Sequence, residues 1–232
     1  MEFLIVGLTL GIAYGLIYRL SRNFITRIGK ESIKVNEWRF AALSEAFGAA
    51  KEVKVAGGEV PESVTIVENG ALFEAPLLTG QKTGWFYDQR DNRARLQRYV
   101  KDKTVLDVCS YVGGWSITSL MMGAKSATAV DQSEHALKFA MQSAEKNGVE
   151  DRLSTIQDDC FAALKALKRK GRKFEVIVVD PPAFIKRRKD IKEGMLAYQR
   201  LNALAMELLV EGGILISCSC PKIACSKSIV RS

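Results

Sequence analysis

From about residue 90 onward, short apolar runs alternate with stretches of helical periodicity, and that alternation restricts the chain to repeated βα units on a parallel sheet. Five runs read as strands: Thr104 to Cys109, Ser126 to Asp131, Leu153 to Gln157, Phe174 to Asp180 and Gly213 to Ser219. Between them lie amphipathic segments. In Glu134 to Asn147 the apolar stripe is Ala136, Leu137, Ala140, Met141 and Ala144, with Ser133 placed to cap the start and Gly148 the end. A second helix is marked by Leu201, Leu204, Ala205, Leu208 and Leu209 and stops before Gly212-Gly213. Such stripes pack a core and say nothing of chemistry. His135, on the first of these helices, reads as solvent-facing.

Upstream, Val64-Thr-Ile-Val67 and Leu72-Phe73 flank Asn69-Gly70, a dipeptide that tolerates positive φ at both turn positions and so predicts a tight β-hairpin. Pro61, Pro76 and Gly80 punctuate this small β segment. Residues 1–60 offer an amphipathic stretch from Trp38 to Phe47 and an uncharged run from Phe3 to Tyr18, followed by Arg19 and Arg22. The run falls short of the roughly 20 residues that span a bilayer. Gly7, Gly11 and Gly15 would give a helix there a smooth packing face; a buried strand or helix is the competing reading. The expected division is an N-terminal α+β appendage over residues 1–85 and a parallel α/β domain over 86–232.

Lys plus Arg number 34 against 26 Asp plus Glu, and the net charge of +8 favours an anionic partner such as nucleic acid unless it merely solvates the surface. Five cysteines without even spacing exclude a small disulfide-framed secreted domain and point to a reducing cytosol. Cys218, Cys220 and Cys225 match no zinc spacing and the single histidine is remote, so no metal is expected.

In an open parallel sheet, ligands bind beyond the carboxyl ends of the strands. The first strand ends in Asp107-Val-Cys109-Ser110-Tyr111-Val-Gly113-Gly114, where paired glycines let backbone approach a ligand. The second ends in Asp131-Gln132, an acid able to accept both ribose hydroxyls of an adenosine. Asp158-Asp159-Cys160-Phe161 follows the third, suited to an exocyclic amine and a ring. Each also reads as a helix cap or turn. The first turn lacks the G-x-G-x-x-G of a dinucleotide site, and small residues flanked by acids suit a sulfonium cation better, so S-adenosylmethionine is favoured over NAD.

The fourth strand ends in Asp180-Pro181-Pro182-Ala183-Phe184, a stiff segment that can present a carboxylate to a flipped base with Phe184 stacking on it, or simply make a rigid connection. After the fifth comes Cys218. Attack of a thiolate on C6 of a pyrimidine makes C5 nucleophilic, which is what methylation there requires; the alternative is a small buried hydrophobe. Lys186, Arg187, Arg188, Lys189 and Lys192 lie where an RNA backbone would run if Asp180 met the base. A second basic group, Lys165 to Lys173, reads as a solvated helix end.

Together, Gly80-Gln-Lys-Thr-Gly84-Trp-Phe-Tyr-Asp88-Gln89-Arg90, Ser110-Tyr111-Val-Gly113-Gly114, Asp158-Asp159-Cys-Phe161, Asp180-Pro-Pro-Ala-Phe184 and Ser217-Cys218-Ser219 make the chain resemble the bacterial 23S ribosomal RNA cytosine-5 methyltransferases. In that family a PUA domain and a small central domain join a Rossmann-like class I catalytic domain. The resemblance runs from about residue 65 to 219. It implies that Asp88, Gln89 and Arg90 close the cofactor pocket, that Asp131 and Asp159 hold the adenosine, and that Cys218 is the nucleophile. A branch acting on guanine N7 usually carries asparagine in place of Cys218. No PUA domain is expected within residues 1–85. The chain also ends thirteen residues after Ser219, where this fold normally adds a helix and two strands. The expectation is a sheet truncated after its fifth strand with an unpaired edge, and a non-catalytic remnant holding RNA or cofactor stays open beside an active enzyme.

Overall fold

A computed structural model describes residues 61–77, 84–185, 187–218 and 228–231. The apolar run 3–18, the stretch 38–47, Gly80, Ser219, Cys220, Cys225 and Lys186 lie outside these residues, as does the side chain of Arg188. Among the described residues no helix is long and apolar enough to cross a membrane.

The hairpin forms as its turn dictates. β1 (Ser63–Glu68) and β2 (Ala71–Pro76) pair antiparallel, and Asn69 (φ 51°) and Gly70 (φ 79°) both occupy the left-handed region that a two-residue turn needs. A short helix, α1 (Arg90–Ala94), leads to a six-stranded sheet. Its strands are β3 (Thr104–Val108), β4 (Ser126–Asp131), β5 (Leu153–Gln157), β6 (Phe174–Val179), β7 (Leu209–Ser217) and β8 (Ser228–Arg231). The spatial order is β5-β4-β3-β6-β7-β8, parallel except for β8. Helices α2 (Gly114–Met121), α3 (Glu134–Lys146), α4 (Cys160–Arg169) and α5 (Ile191–Met206) make the crossovers. Strand order reverses between β3 and β6, the position at which such sheets open a ligand cleft.

Two apolar clusters sandwich the sheet, because successive strand residues face opposite ways. Val105, Ala129, Val176 and Val178 meet α2, α3 and the hairpin through Trp115, Ile117, Ala140 and Phe73. Leu106, Val108, Val130, Ile177 and Val179 meet α4 and α5 through Leu164, Leu167, Leu201 and Ala205.

The hairpin is fastened to α3 by side chains that act as strand partners. Leu72 N–H donates to Asn147 Oδ1 (3.0 Å), Asn147 Nδ2 donates back to Leu72 O (2.7 Å), and Glu74 N–H donates to Ser143 Oγ (2.9 Å). Underneath, Glu68 is buried with Arg93, whose Nε and Nη2 donate to its two oxygens at 2.6 and 2.9 Å, while Trp85 Nε1 donates to Glu68 at 3.0 Å. The guanidinium lies 4.6 Å from the Trp85 ring centroid. A buried carboxylate is tolerated because every donor around it is charged or aligned.

Three expectations are corrected. α5 ends at Met206, and Leu209 opens β7. Phe174 pairs with Leu209 but Val176 pairs with Ile214, so the chain bulges through Gly212 (φ 71°), and the two leucines read as helical are buried from a turn and a strand. The fifth strand is not a bare edge: β8 covers it, with Ser217 opposite Ser228 and Ile214 opposite Arg231. His135 is half-buried, its ring edge-on to Phe139 at 4.9 Å.

Candidate active site

The β3–α2 turn is shaped by three left-handed residues, Cys109 (φ 64°), Tyr111 (φ 51°) and Gly113 (φ 78°). Two carry side chains, a cost that cores rarely accept away from functional sites. The turn is held in place by Ser110 N–H to Val130 O (2.9 Å) and Tyr111 N–H to Asp131 Oδ2 (2.8 Å). Below it, Asp107 is wholly buried and its Oδ2 accepts from Ser116 N–H (3.0 Å) and Ser116 Oγ (2.8 Å), tying the strand to the first turn of α2. Burial pushes the Asp107 carboxyl up to about 7 against the Ser116 hydrogen bonds, and the neighbouring carboxylates of Asp180 and Asp131 add to the rise.

The bareness of the paired glycines serves packing. A Cβ on Gly113 would stand 2.9 Å from Ala140 Cβ, and one on Gly114 would stand 3.2 Å from Trp85 Cη2, so the glycines bring α2 against α3 and Trp85. Asp131 receives backbone N–H groups on both oxygens, from Tyr111 and from Ser133 (2.9 Å). Asp159 caps α4 by accepting from Phe161 and Ala162, and Gln132 Nε2 donates to it at 3.0 Å. Asp158 is exposed and accepts from Asp159 N–H.

At the β6 end, Trp115 Nε1 donates to Asp180 Oδ2 at 2.9 Å. Pro181 is buried and Pro182 exposed. Phe184 sits against Tyr198 (centroids 4.8 Å) and Phe161 (6.3 Å), and its N–H donates to the Tyr198 hydroxyl, so it is half-buried in protein rather than held open as a stacking platform. α5 clamps this loop: a Cβ on Gly194 would lie 2.5 Å from Ile185 Cγ1 and 3.1 Å from the Phe184 carbonyl. Cys218 N–H donates to Val179 O (2.8 Å), and its side chain, 5% exposed, joins the cluster of Trp115 and Val178. Strand alternation places Asp107, Asp131, Asp180 and Cys218 on that one face of the sheet, at the ends of β3, β4, β6 and β7.

The segment before α1 borders the turn: Phe86 meets Tyr111 edge-on at 5.7 Å. Gln89 is buried and accepts from Asn92, whereas Asp88 and Arg90 are exposed. Arg187 is exposed and paired with Asp190 at 3.3 Å. The second basic group, Lys165 to Lys173, is largely solvated as expected, with Lys168 bridging Glu207 at 2.8 Å. Sequence reasoning missed Trp115, the Glu68–Arg93 pair, Tyr198 and Gly194. Of these only Gly194 left a signal, as a glycine inside a helical stretch.

Chemically the cleft is rich in acceptors. Asp107 Oδ1 and Ser110 Oγ are buried without a hydrogen-bond partner among the described residues, and the carboxylates of Asp131 and Asp180 stand close to Asp107. Such a site repels phosphate and suits an ammonium or sulfonium cation. Among the described residues no group of acids, cysteines and histidines could hold a metal ion.

Fold and cleft define an S-adenosylmethionine-dependent methyltransferase: the profile of that family matches residues 28–228, and the chain belongs to it. More particularly, it is 39% identical over 165 residues to Ribosomal RNA large subunit methyltransferase I of Klebsiella pneumoniae (strain 342), covering 70% of this chain and 41% of that protein. It is 40% identical over 181 residues to the protein of the same description from Aeromonas salmonicida (strain A449), covering 77% and 46%. The chain thus spans less than half the length of these relatives. A solved protein assigned as a methyltransferase and complexed with SAH superposes with a TM-score of 0.61 and 30% identity, over 68% of this chain and 42% of its own.

Proposed function

We propose that the chain transfers a methyl group from S-adenosylmethionine to C5 of a cytosine in ribosomal RNA through a covalent adduct at Cys218. One observation carries the reading: Cys218 shares a sheet face and neighbouring strand ends with Asp107, Asp131 and Asp180. The net charge of +8 and the curated relatives' description as ribosomal RNA methyltransferases support RNA as the substrate. S-adenosylmethionine, when bound, supplies an electrophilic methyl group.

The chain's own residues then divide the work. Asp131 and Asp159, with Gln132 beside them, take the adenosine hydroxyls and amine; Asp107, Ser110 and the β3–α2 turn, with Asp88, Gln89 and Arg90 bordering it, hold the cationic end. Trp115 fixes the Asp180 carboxylate, leaving it oriented to accept from the exocyclic amine of a base. The loop of Pro181, Pro182 and Phe184 shapes the base pocket, and Lys186, Arg187 and Arg188 follow the RNA backbone. Attack of the Cys218 thiolate on C6 makes C5 nucleophilic; loss of the C5 proton and expulsion of the thiolate later restore the ring.

The burial of Cys218 favours a second reading, methylation of another base with Cys218 only packed in the core. Transfer of labelled methyl to ribosomal RNA, followed by nucleoside analysis, separates them. Labelled 5-methylcytosine, with near-complete loss of transfer but retained SAH binding in Cys218→Ala, is the expected result. Labelled guanine or adenine, or a Cys218→Ala variant that still transfers, refutes the covalent role.

A further inference from the structure

The hairpin reaches the segment that borders the cofactor turn, and one buried side chain makes the junction. Arg93, on α1, is 3% exposed, as is Glu68 at the end of β1. Two guanidinium nitrogens donate to Glu68, and Nη2 donates again to the carbonyl of Phe86 at 2.9 Å. The same carbonyl accepts from Gln89 N–H at 3.3 Å, closing the turn that carries Asp88 and Gln89 and leads into Arg90. The hairpin turn adds a second tie, Asn69 Nδ2 donating to the Arg90 carbonyl at 3.2 Å. Beyond this segment the Phe86 ring meets Tyr111 edge-on at 5.7 Å, and Tyr111 N–H donates to Asp131. A Cβ on Gly114 would stand 3.5 Å from Arg93 Nη1, so the first residue of α2 also rests on the guanidinium.

We propose that Arg93, oriented by Glu68, is a positioning residue for methyl-donor binding: through Phe86 it sets the cofactor turn at Tyr111, which makes the hairpin part of the cofactor site. Stability alone does not call for this arrangement, because a buried ion pair is commonly matched or bettered by apolar side chains of the same volume. What an apolar pair could not supply is a donor for the Phe86 carbonyl. The planar fork of arginine engages a carboxylate and still has N–H groups left for a carbonyl. A lysine ammonium is a point charge that cannot serve both with that geometry. Phe86 itself lies outside the helical region (φ −107°, ψ 82°), so the chain direction there is set by these side-chain ties.

The inference rests on the reading that the β3–α2 turn holds S-adenosylmethionine. It adds that the turn is held in register from the hairpin, two elements away, rather than by the sheet alone.

The test measures SAH affinity by calorimetry for the wild type, Arg93→Lys, Phe86→Leu and the double variant, each at a temperature where urea unfolding shows it fully folded. Arg93→Lys and Phe86→Leu are each expected to weaken SAH binding about tenfold, and the double variant about tenfold rather than about a hundredfold, because both act through one contact. In methyl transfer, KM for S-adenosylmethionine should rise while KM for ribosomal RNA holds. An Arg93→Lys protein that is less stable yet binds SAH like the wild type, or losses that multiply in the double variant, overturns the proposal and reduces Arg93 to packing. If Arg93→Lys does not fold, Asn69→Gly takes its place, since it keeps the positive φ of the turn and removes only the tie to Arg90. A loss of about threefold is expected there, and wild-type affinity overturns the proposal equally. A wild-type chain that binds no SAH overturns the cofactor reading and this inference with it, and is told apart because it shows before any substitution is made.

Discussion

Asp107→Asn should stabilise this protein at alkaline pH and do almost nothing at acid pH. In the folded chain the Asp107 carboxyl titrates at about 7, against 3.8 unfolded, because the group is wholly buried beside two other acids. A folded pKa raised above the unfolded one means that the native state binds the extra proton, so stability falls as pH rises through the interval between the two values. Each tenfold difference in proton affinity between the two states corresponds to about 1.4 kcal/mol, so a difference of about a thousandfold is a burden of about 4 kcal/mol above neutrality. Between roughly pH 5 and pH 8 the loss is about 2.5 kcal/mol. Asparagine keeps an acceptor for Ser116 and carries no charge. Glu74 and Glu175, whose carboxyls are held below their usual range, change their contributions only at more acid pH and leave this window clean. Urea unfolding of both proteins at the two pH values gives the difference directly. The wild type should lose about 2.5 kcal/mol relative to the variant on going from pH 5 to pH 8. If the gap is the same at both pH values, or Asp107→Asn is the weaker protein at pH 8, the account of this buried acid is wrong.

Glu68→Ala leaves Arg93 buried without its carboxylate and strands Trp85 Nε1; a loss of about 3–5 kcal/mol is expected by chemical denaturation, and a loss below about 1 kcal/mol would mean that the ion pair contributes little. Gly194→Ala forces a methyl against Ile185 and the Phe184 backbone. It should cost about 1–3 kcal/mol in thermal unfolding and lower methyl transfer more than SAH affinity, because the displaced loop carries Asp180; equal losses in both would place the strain elsewhere.

The sheet was legible because its signals are local. Ser126–Asp131 and Phe174–Val179 are largely apolar runs with clear ends, and Asn69-Gly70 announces its own turn. Where two elements abut, pattern fails: Leu208 and Leu209 continue the α5 stripe and are buried as expected, yet a bulge at Val210 to Gly213 lets Leu209 belong to β7. The acids of the cleft were readable as strand-end residues. Their neighbours were not. Nothing in the spacing of Glu68 and Arg93 reveals a contact that only the packing of the hairpin against α1 creates. Paired glycines after a strand suggested a close ligand; the atoms actually met are Ala140 and Trp85, a distinction that only coordinates make.

Asn147, at the end of α3, gives both its amide N–H and its carbonyl to Leu72, in the manner of one more residue of ladder. A side chain can end a ladder but cannot extend it. The outer margin of β2 is therefore sealed to strand exchange, and growth of the hairpin into a wider sheet, within one molecule or between two, would first have to evict this amide. Any transplant of the hairpin onto another scaffold must carry the last turn of the helix with it.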